Sequence, residues 1–166
     1  MFYQIKSYLQ FLSRSTNQHG VHSPFVFDYL TKCLYLKKVD SKSKTLDILL
    51  KSISYFEFKN VRIIGNENIK KLVSQRFPEI RDDGPPYDLI CIEEIIPNLL
   101  SEILSAEQIH NNSMILMDNI YKKSSASELW KQIIKEKNAT VTIDFYYCGV
   151  AFSRKEQVKE HFKIRI

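Results

Sequence analysis

The stretch that decides the fold is Tyr87-Asp88-Leu89-Ile90-Cys91-Ile92, which ends on Glu93-Glu94. Its apolar residues are nearly continuous, a pattern typical of a strand that is buried on both faces of a parallel sheet. A second run of this kind, Ser113–Met117, ends on Asp118-Asn119. Because a helical pattern at Asn98–Gln108 separates the two runs, the sequence predicts an α/β protein with a mainly parallel sheet.

The other predicted strands are shorter. Val61-Arg62-Ile63-Ile64 is expected to be the first strand, and a helix is expected over Ile69–Phe77. Near the end of the chain, Thr140–Phe145 and Val150–Ser153 predict an antiparallel hairpin that is joined tightly near Gly149. The expected sheet therefore has about five strands, and the hairpin adds an antiparallel strand at one side.

Before Val61 the apolar residues recur at helical spacing. A serine cap and an N1 proline, Ser23-Pro24, precede the second predicted helix. The three helices expected in this part of the chain are Phe2–Arg14, Phe25–Leu36 and Ser41–Phe56.

We expect a single domain over residues 1–166, with a helical N-terminal layer at 1–59 and an α/β core at 60–166. Residues 1–60 carry nine Lys or Arg and four Asp or Glu, whereas residues 61–166 carry fifteen of each kind. The net charge of +5 therefore belongs to the N-terminal part. A basic surface attracts phosphates, but these lysines are scattered along predicted helices, so a solvated surface is favoured over nucleic-acid binding.

Composition places the chain among globular proteins, with 44% hydrophobic and 26% charged residues. No stretch approaches the roughly 20 apolar residues that cross a bilayer, and the first residues do not resemble a secretory signal. A cytoplasmic protein without a membrane partner is expected. The three cysteines, Cys33, Cys91 and Cys148, lie far apart among apolar neighbours and are predicted to be buried, reduced thiols.

Two segments resemble a known family. His19-Gly20-Val21-His22-Ser23-Pro24-Phe25 resembles the N-terminal signature of a bacterial family of class I S-adenosylmethionine-dependent methyltransferases, and Arg154-Lys155-Glu156-Gln157 with Lys159-Glu160-His161-Phe162 resembles its end. The resemblance implies a Rossmann-like sheet and S-adenosylmethionine as the cofactor. Members of that family are considerably longer, and the length missing here falls in the middle.

The cofactor-binding turn of the family departs from its pattern in this chain. There, an acidic residue ends the first strand, and a glycine-rich turn lets the backbone approach the cofactor. Here Ile63 stands where the acid is expected, Gly65 takes the place of the first glycine, and Ile69 that of the second. The candidate cofactor-binding residues are Gly65, Asn66, Glu67 and Asn68. Asparagine can adopt a left-handed backbone, and Glu67 could accept a bond from ribose.

The segment between Phe77 and Tyr87 is too short for the second and third strands that the family has. The resemblance therefore implies a shortened, degenerate methyltransferase sheet without the half that holds adenosine.

Acidic residues follow two of the predicted strands, and the carboxyl ends of parallel strands are where α/β proteins place their chemistry. Glu93, Asp118 and Asn119 are similar to the ligands of metal-dependent O-methyltransferases, although aspartate is usual at the position of Glu93. Such oxygen ligands suit Mg²⁺, which lowers the pKa of a bound hydroxyl. The simpler interpretation, that these residues form turns and helix caps, is favoured.

Three further residues are candidates for a substrate pocket: His19, His22 and Tyr121. Tyr121 lies just past Asp118-Asn119. The two histidines have no cysteine or carboxylate nearby in the sequence, and a structural or lid role is favoured over catalysis for them.

The sequence leaves open whether the chain is an enzyme. One hypothesis is methyl transfer from S-adenosylmethionine to a small acceptor of unknown identity, with or without a metal. Another, which we prefer, is a methyltransferase-like protein that has impaired or lost cofactor binding and serves as a scaffold or interaction protein. A third and less favoured alternative is a basic RNA-binding accessory protein. The edge left at the first strand would have to be covered or paired, and a homodimer is one expectation.

Overall fold

A computed structural model describes residues 2–40, 43–96, 98–103, 105 and 107–166. Within this part of the chain, six strands form one sheet in the order β1-β2-β3-β5-β4-β6. The strands are β1 Val61–Ile64, β2 Tyr87–Ile92, β3 Ile109–Asp118, β4 Val141–Asp144, β5 Cys148–Phe152 and β6 Glu160–Lys163. The predicted α/β class is confirmed.

The described residues form six α-helices that pack around the sheet. They are α1 Phe2–Arg14, α2 Pro24–Tyr29, α3 Lys44–Phe56, α4 Glu67–Arg76, α5 Leu99–Ile103 and α6 Ser124–Lys135. A 3₁₀ turn covers Gln18–Gly20, and α2 continues as a π-helical segment over Leu30–Leu34. The three predicted N-terminal helices are confirmed, and Ser23 caps α2 by accepting a bond from the N–H of Val26. Positions 41 and 42 of the third predicted helix lie outside the described residues.

The sheet is buried on both faces, as its continuous apolar strands require. Leu89, Cys91, Met114 and Leu116 face one side and pack against α2, α3 and α4. The alternate residues Ile90, Ile92, Ile115 and Met117 face the other side and pack against α5 and α6. Because both of their faces are covered, β2 and β3 carry the strongest apolar pattern in the sequence.

The predicted antiparallel hairpin is confirmed in its pairing but not in its position. Strand β5 pairs antiparallel with both β3 and β4, so the antiparallel strand lies inside the sheet rather than at one side. The turn lies at residues 145–147, where the N–H of Phe145 donates to the carbonyl of Cys148. Gly149 lies within β5 and not in the turn. A Cβ at this position would come within 2.7 Å of the Trp130 ring, so the strand needs a glycine there.

The last strand, β6, was not predicted. It pairs in parallel with β4 along its whole length, from Glu160 opposite Val141 to Lys163 opposite Asp144. Its residues are exposed or half-buried, so it has no apolar pattern to reveal it. Thr16 adds a single bridge beside Ile164, which attaches the N-terminal layer to this edge.

Strand β3 begins at Ile109, earlier than the predicted start at Ser113. The residues at 110–112 are polar and carry no strand pattern in the sequence. The hydroxyl of Ser113 accepts a bond from the N–H of His110 and donates to the carbonyl of Tyr87. Asn112 adopts a φ of 80° where the pairing register between β2 and β3 shifts. The helix predicted over Asn98–Gln108 is limited to α5, with positions 104 and 106 outside the described residues.

At the other edge, β1 pairs only with β2. The carbonyl of Arg81 accepts a bond from the N–H of Val61, and this covers the start of the free side. In the described part of the chain, no strand pairs with the rest of that side. None of the described helices is both long enough and apolar enough to cross a membrane.

Candidate functional site

A cavity of about 260 Å³ lies at the carboxyl ends of β2 and β3. Because both strands are parallel, their final residues meet at this edge of the sheet. The residues that line it are Ile92, Glu93, Glu94, Ile95, Met117, Asp118, Asn119, Lys122, Lys123, Ser125 and Ala126. The three residues predicted as metal ligands are therefore brought together here.

Glu93 is half-buried and faces the end of β1. Its carboxylate accepts a bond from the amide of Asn66 at 3.5 Å and lies 3.8 Å from the thiol of Cys91. Burial, together with the negative charge of Asp118, raises the pKa of Glu93. This carboxyl group is therefore easier to protonate than an ordinary glutamate.

Asp118 is hydrogen-bonded to a side chain of α3. The hydroxyl of Thr45, in the first turn of α3, donates to one carboxylate oxygen at 2.5 Å, and the side-chain amide of Asn119 donates to the other. These two bonds satisfy part of the hydrogen-bonding capacity of the Asp118 carboxylate. Thr45 is buried and was missed by sequence analysis, because it lies 73 residues before Asp118 in the chain.

Asn119 shapes the turn after β3. Its φ is 51°, its N–H donates to the carbonyl of Tyr147, and its carbonyl accepts from the N–H of Lys122. The left-handed backbone is one that asparagine tolerates. These contacts agree with the simpler prediction that the Asp-Asn pair forms a turn.

The two sides of the cavity have opposite charges. Glu93, Glu94 and Asp118 lie on one side, and Lys122 and Lys123 precede the first turn of α6 on the other. Among the residues that the structure describes, no group of three or more His, Cys, Asp or Glu is arranged to hold a metal ion. Glu93, Asp118 and Asn119 offer at most two carboxylates and one amide, so Mg²⁺ binding stays a prediction.

The residues predicted to bind the cofactor lie outside this cavity. Gly65 has a φ of +90°, and a Cβ on it would come within 2.2 Å of the Cβ of Glu94. The side of Gly65 is thus occupied by the chain itself. Asn66 is extended and caps α4 by accepting from the N–H of Ile69, while Glu67 and Asn68 are exposed in the first turn of that helix. The expected left-handed asparagines are not found there.

His19 and His22 lie away from the cavity. His19 is exposed in the 3₁₀ turn, where its ring contacts the amide of Gln18 at 3.3 Å. His22 is exposed just before Ser23, whose hydroxyl lies 3.5 Å from the side chain of Gln157. Gln157 precedes β6, so this segment reaches the amino end of the parallel strands.

Tyr121 also lies outside the cavity. Its hydroxyl donates to the carboxylate of Asp144, which is fully buried and pairs with Lys163 at 3.1 Å. The Tyr121 ring stacks on Tyr146 at 5.3 Å. Sequence analysis missed this cluster, although an aspartate at the end of a predicted strand was a usable signal.

The hairpin turn anchors α1 above this cluster. The Tyr146 hydroxyl donates to the carbonyl of Gln4, and its ring contacts Tyr8 and Phe11 at centroid distances of 4.8 and 5.6 Å. These contacts position α1 over the carboxyl end of β4.

The chain is 27% identical over 119 residues to ribonuclease E of Buchnera aphidicola subsp. Schizaphis graminum, a match that covers 70% of this chain and 12% of that protein. The chain thus spans about one eighth of the length of the curated relative that it matches. No protein-family model and no solved structure matches the chain.

Proposed function

We propose that this chain is a methyltransferase-like protein that has lost cofactor binding and works through contacts with a partner. One observation carries the proposal: the cavity at the carboxyl edge excludes Gly65, Asn66, Glu67 and Asn68. Glu94 occupies the space into which a Cβ at Gly65 would project. The volume of the cavity, about 260 Å³, is also below the roughly 300–1,000 Å³ of usual small-molecule sites.

The strand arrangement supports the same proposal. In the family that the sequence resembles, two more strands follow the first helix of the core and complete the adenosine site. Here β1 is an edge strand, and the segment between α4 and β2 supplies only the bridge at Arg81. The core thus keeps the strands on the acceptor side and lacks the strands that would complete the adenosine site. We take this as a reduced Rossmann-like arrangement.

Titration calorimetry tests the loss of the cofactor. The protein is titrated with S-adenosylmethionine and S-adenosylhomocysteine at millimolar concentration, with and without Mg²⁺. We expect no heat of binding beyond dilution. Saturable binding of either ligand would overturn the proposal, and binding that disappears in Gly65→Val would locate it at the β1 turn.

An active, metal-assisted methyltransferase is the second candidate, because Glu93, Asp118 and Asn119 do line one cavity. Mg²⁺ would then orient a hydroxyl of the acceptor between the carboxylates. Asp118→Asn separates the two candidates. It should abolish a Mg²⁺-dependent stabilisation if the metal binds there, whereas the scaffold proposal expects no stabilisation by Mg²⁺ in either protein.

The partner in the scaffold proposal is a second copy of the chain or another macromolecule. Among the described residues, no strand pairs with the free side of β1 beyond Val61, so its backbone groups are open to a second copy. Light scattering at two concentrations tests this, and a strictly monomeric chain would exclude the homodimer. The local similarity to ribonuclease E makes RNA the other ligand class to test, without extending to RNA cleavage, because the match spans 12% of that protein.

A further inference from the structure

Two adjoining grooves lie on the outer surface of the helical layer, away from the cavity at the strand ends. The first, of about 430 Å³, runs between the end of the π-helical segment, α3 and the end of α4. The second, of about 390 Å³, lies between the loop that follows the π-helical segment and the start of α3. Leu36, which is 58% exposed, and Lys51 line both grooves.

Each groove combines cations with an exposed aromatic ring. Lys37 and Arg76 line the first groove together with Tyr55. Lys38 and Lys44 line the second together with Tyr35. The two tyrosines are 37% and 38% exposed, so part of each ring is open to solvent. The cations come from three separate elements, which is why they look scattered in the sequence.

The loop between the grooves is held in place by a buried ion pair. Lys51 pairs with Asp47 at 2.9 Å and donates to the carbonyls of Leu34 and Leu36. Asp47 also accepts bonds from the backbone N–H groups of Val39 and Asp40. Burial alone would raise the pKa of Asp47, but the bonds from Lys51 and the backbone outweigh it and lower that pKa. The grooves are therefore preformed.

Cations outnumber acids in the two grooves: Asp47 pairs with Lys51, and Asp40 lines the second groove together with Lys38 and Lys44. In the described part of the chain, Lys37, Lys38 and Arg76 form no ion pair. Lys44 donates to the carbonyl oxygen of Ile166 and lies 4.4 Å from the Tyr147 ring centroid. Burial and the nearby charge of Lys38 lower the pKa of Lys44, so an anion placed between the two lysines would relieve their repulsion.

We propose that these two grooves bind single-stranded RNA, with Lys37, Lys38, Lys44 and Arg76 on phosphates and with Tyr35 and Tyr55 stacking on bases. A cation and an aromatic ring repeated in neighbouring grooves match the repeating phosphate and base of a strand. A duplex hides its base faces and would leave both rings unused. An acidic peptide would satisfy the cations but, unlike RNA, does not carry an aromatic ring on every repeat unit.

Fluorescence anisotropy with a fluorescein-labelled oligouridylate of about 12 nucleotides tests the proposal. Lys37→Gln combined with Arg76→Gln should weaken binding about tenfold and reduce the slope of log affinity against log salt by about 1.4. Tyr55→Leu, which keeps the charge, should weaken binding about tenfold with an unchanged slope. Neither change removes an ion pair or a buried polar group, and circular dichroism checks that both variants fold.

The matched control is Lys135→Gln combined with Lys137→Gln, which removes two exposed charges around the end of α6 on the other face of the sheet. It should leave the affinity within about twofold. Equal losses in both double variants, absence of binding at low salt, or equally tight binding of duplex RNA would each overturn the proposal. Competition by poly-glutamate would also overturn the proposal. So would binding of the protein to anionic vesicles, if that binding depends on the same residues as strongly as RNA binding does.

Discussion

Replacing Asp144 with asparagine tests how far one buried carboxylate supports the carboxyl edge of the sheet. Asp144 is fully buried, and it accepts bonds from the Tyr121 hydroxyl, from Lys163 at 3.1 Å and from the N–H of Tyr146 at 2.8 Å. An asparagine can keep the bond to Tyr146 through its oxygen. Its amide would then point donors at Lys163 and the Tyr121 hydroxyl.

The expected loss follows from this geometry. Breaking one side of a buried ion pair costs about 3–5 kcal/mol, and the low end applies here because the Lys163 side chain is 26% exposed and can still reach water. We therefore expect a loss of about 3 kcal/mol of unfolding free energy, which lowers the melting temperature of a chain of this size by roughly 6–12 °C. Urea denaturation followed by circular dichroism measures it.

A double-mutant cycle with Lys163→Met separates the ion pair from the other bonds. The double variant should recover part of the loss, because no unpaired ammonium remains. Asp28→Asn provides the control, since the Asp28–Lys32 pair is exposed on both sides and its loss should leave the urea midpoint unchanged. A loss below about 1 kcal/mol in Asp144→Asn would refute the assignment of this cluster as a structural support.

Three smaller predictions concern the sheet and the cavity. Gly149→Ala should destabilise the fold by about 1–3 kcal/mol in urea denaturation, because its Cβ would overlap the Trp130 ring. Thr45→Val should cost about 1.5 kcal/mol in the same assay, because Asp118 loses a partly buried hydrogen bond to its carboxylate. Since burial and Asp118 raise the pKa of Glu93 in the folded state, folding is penalised above that pKa. Glu93→Gln should therefore stabilise the protein at pH 8, and the gain should vanish as the pH falls below about 4.5.

Each of these has a distinct contrary result. An unchanged midpoint in Gly149→Ala would mean that Trp130 does not pack on β5. A neutral Thr45→Val would show that Asp118 finds another donor in solution. If Glu93→Gln were equally stabilising at every pH, the effect would come from the shape of the side chain and not from its charge.

Several elements were predictable because their signals are local. The strands β1 and β2 were placed at their observed bounds, since consecutive apolar residues in a short run identify a doubly buried strand. The cap of α2 was predicted from Ser23-Pro24, because both residues act within one turn of the helix. The approach of the β2 and β3 ends followed from parallel pairing alone, and it brought Glu93, Asp118 and Asn119 to one cavity.

Other features depend on residues far apart in the chain. Strand β6 is held by backbone bonds to β4 at an exposed edge, so its side chains need no pattern. Gly149 looked like a turn residue, but its role depends on the Trp130 ring, which no local rule predicts. The partner of Glu94 at Gly65 has the same origin, because two strand ends 29 positions apart meet there.

The sequence by itself determined the α/β class, the helical N-terminal layer and the concentration of positive charge within it, because composition and hydrophobic period are properties of neighbouring residues. Only the tertiary structure decided how the strands are ordered, that the cavity excludes the Gly65 turn, and that lysines and tyrosines from separate helices share two grooves. Those outcomes depend on which side chains meet across the packed layers, and a pattern along the chain does not encode distances between its remote parts.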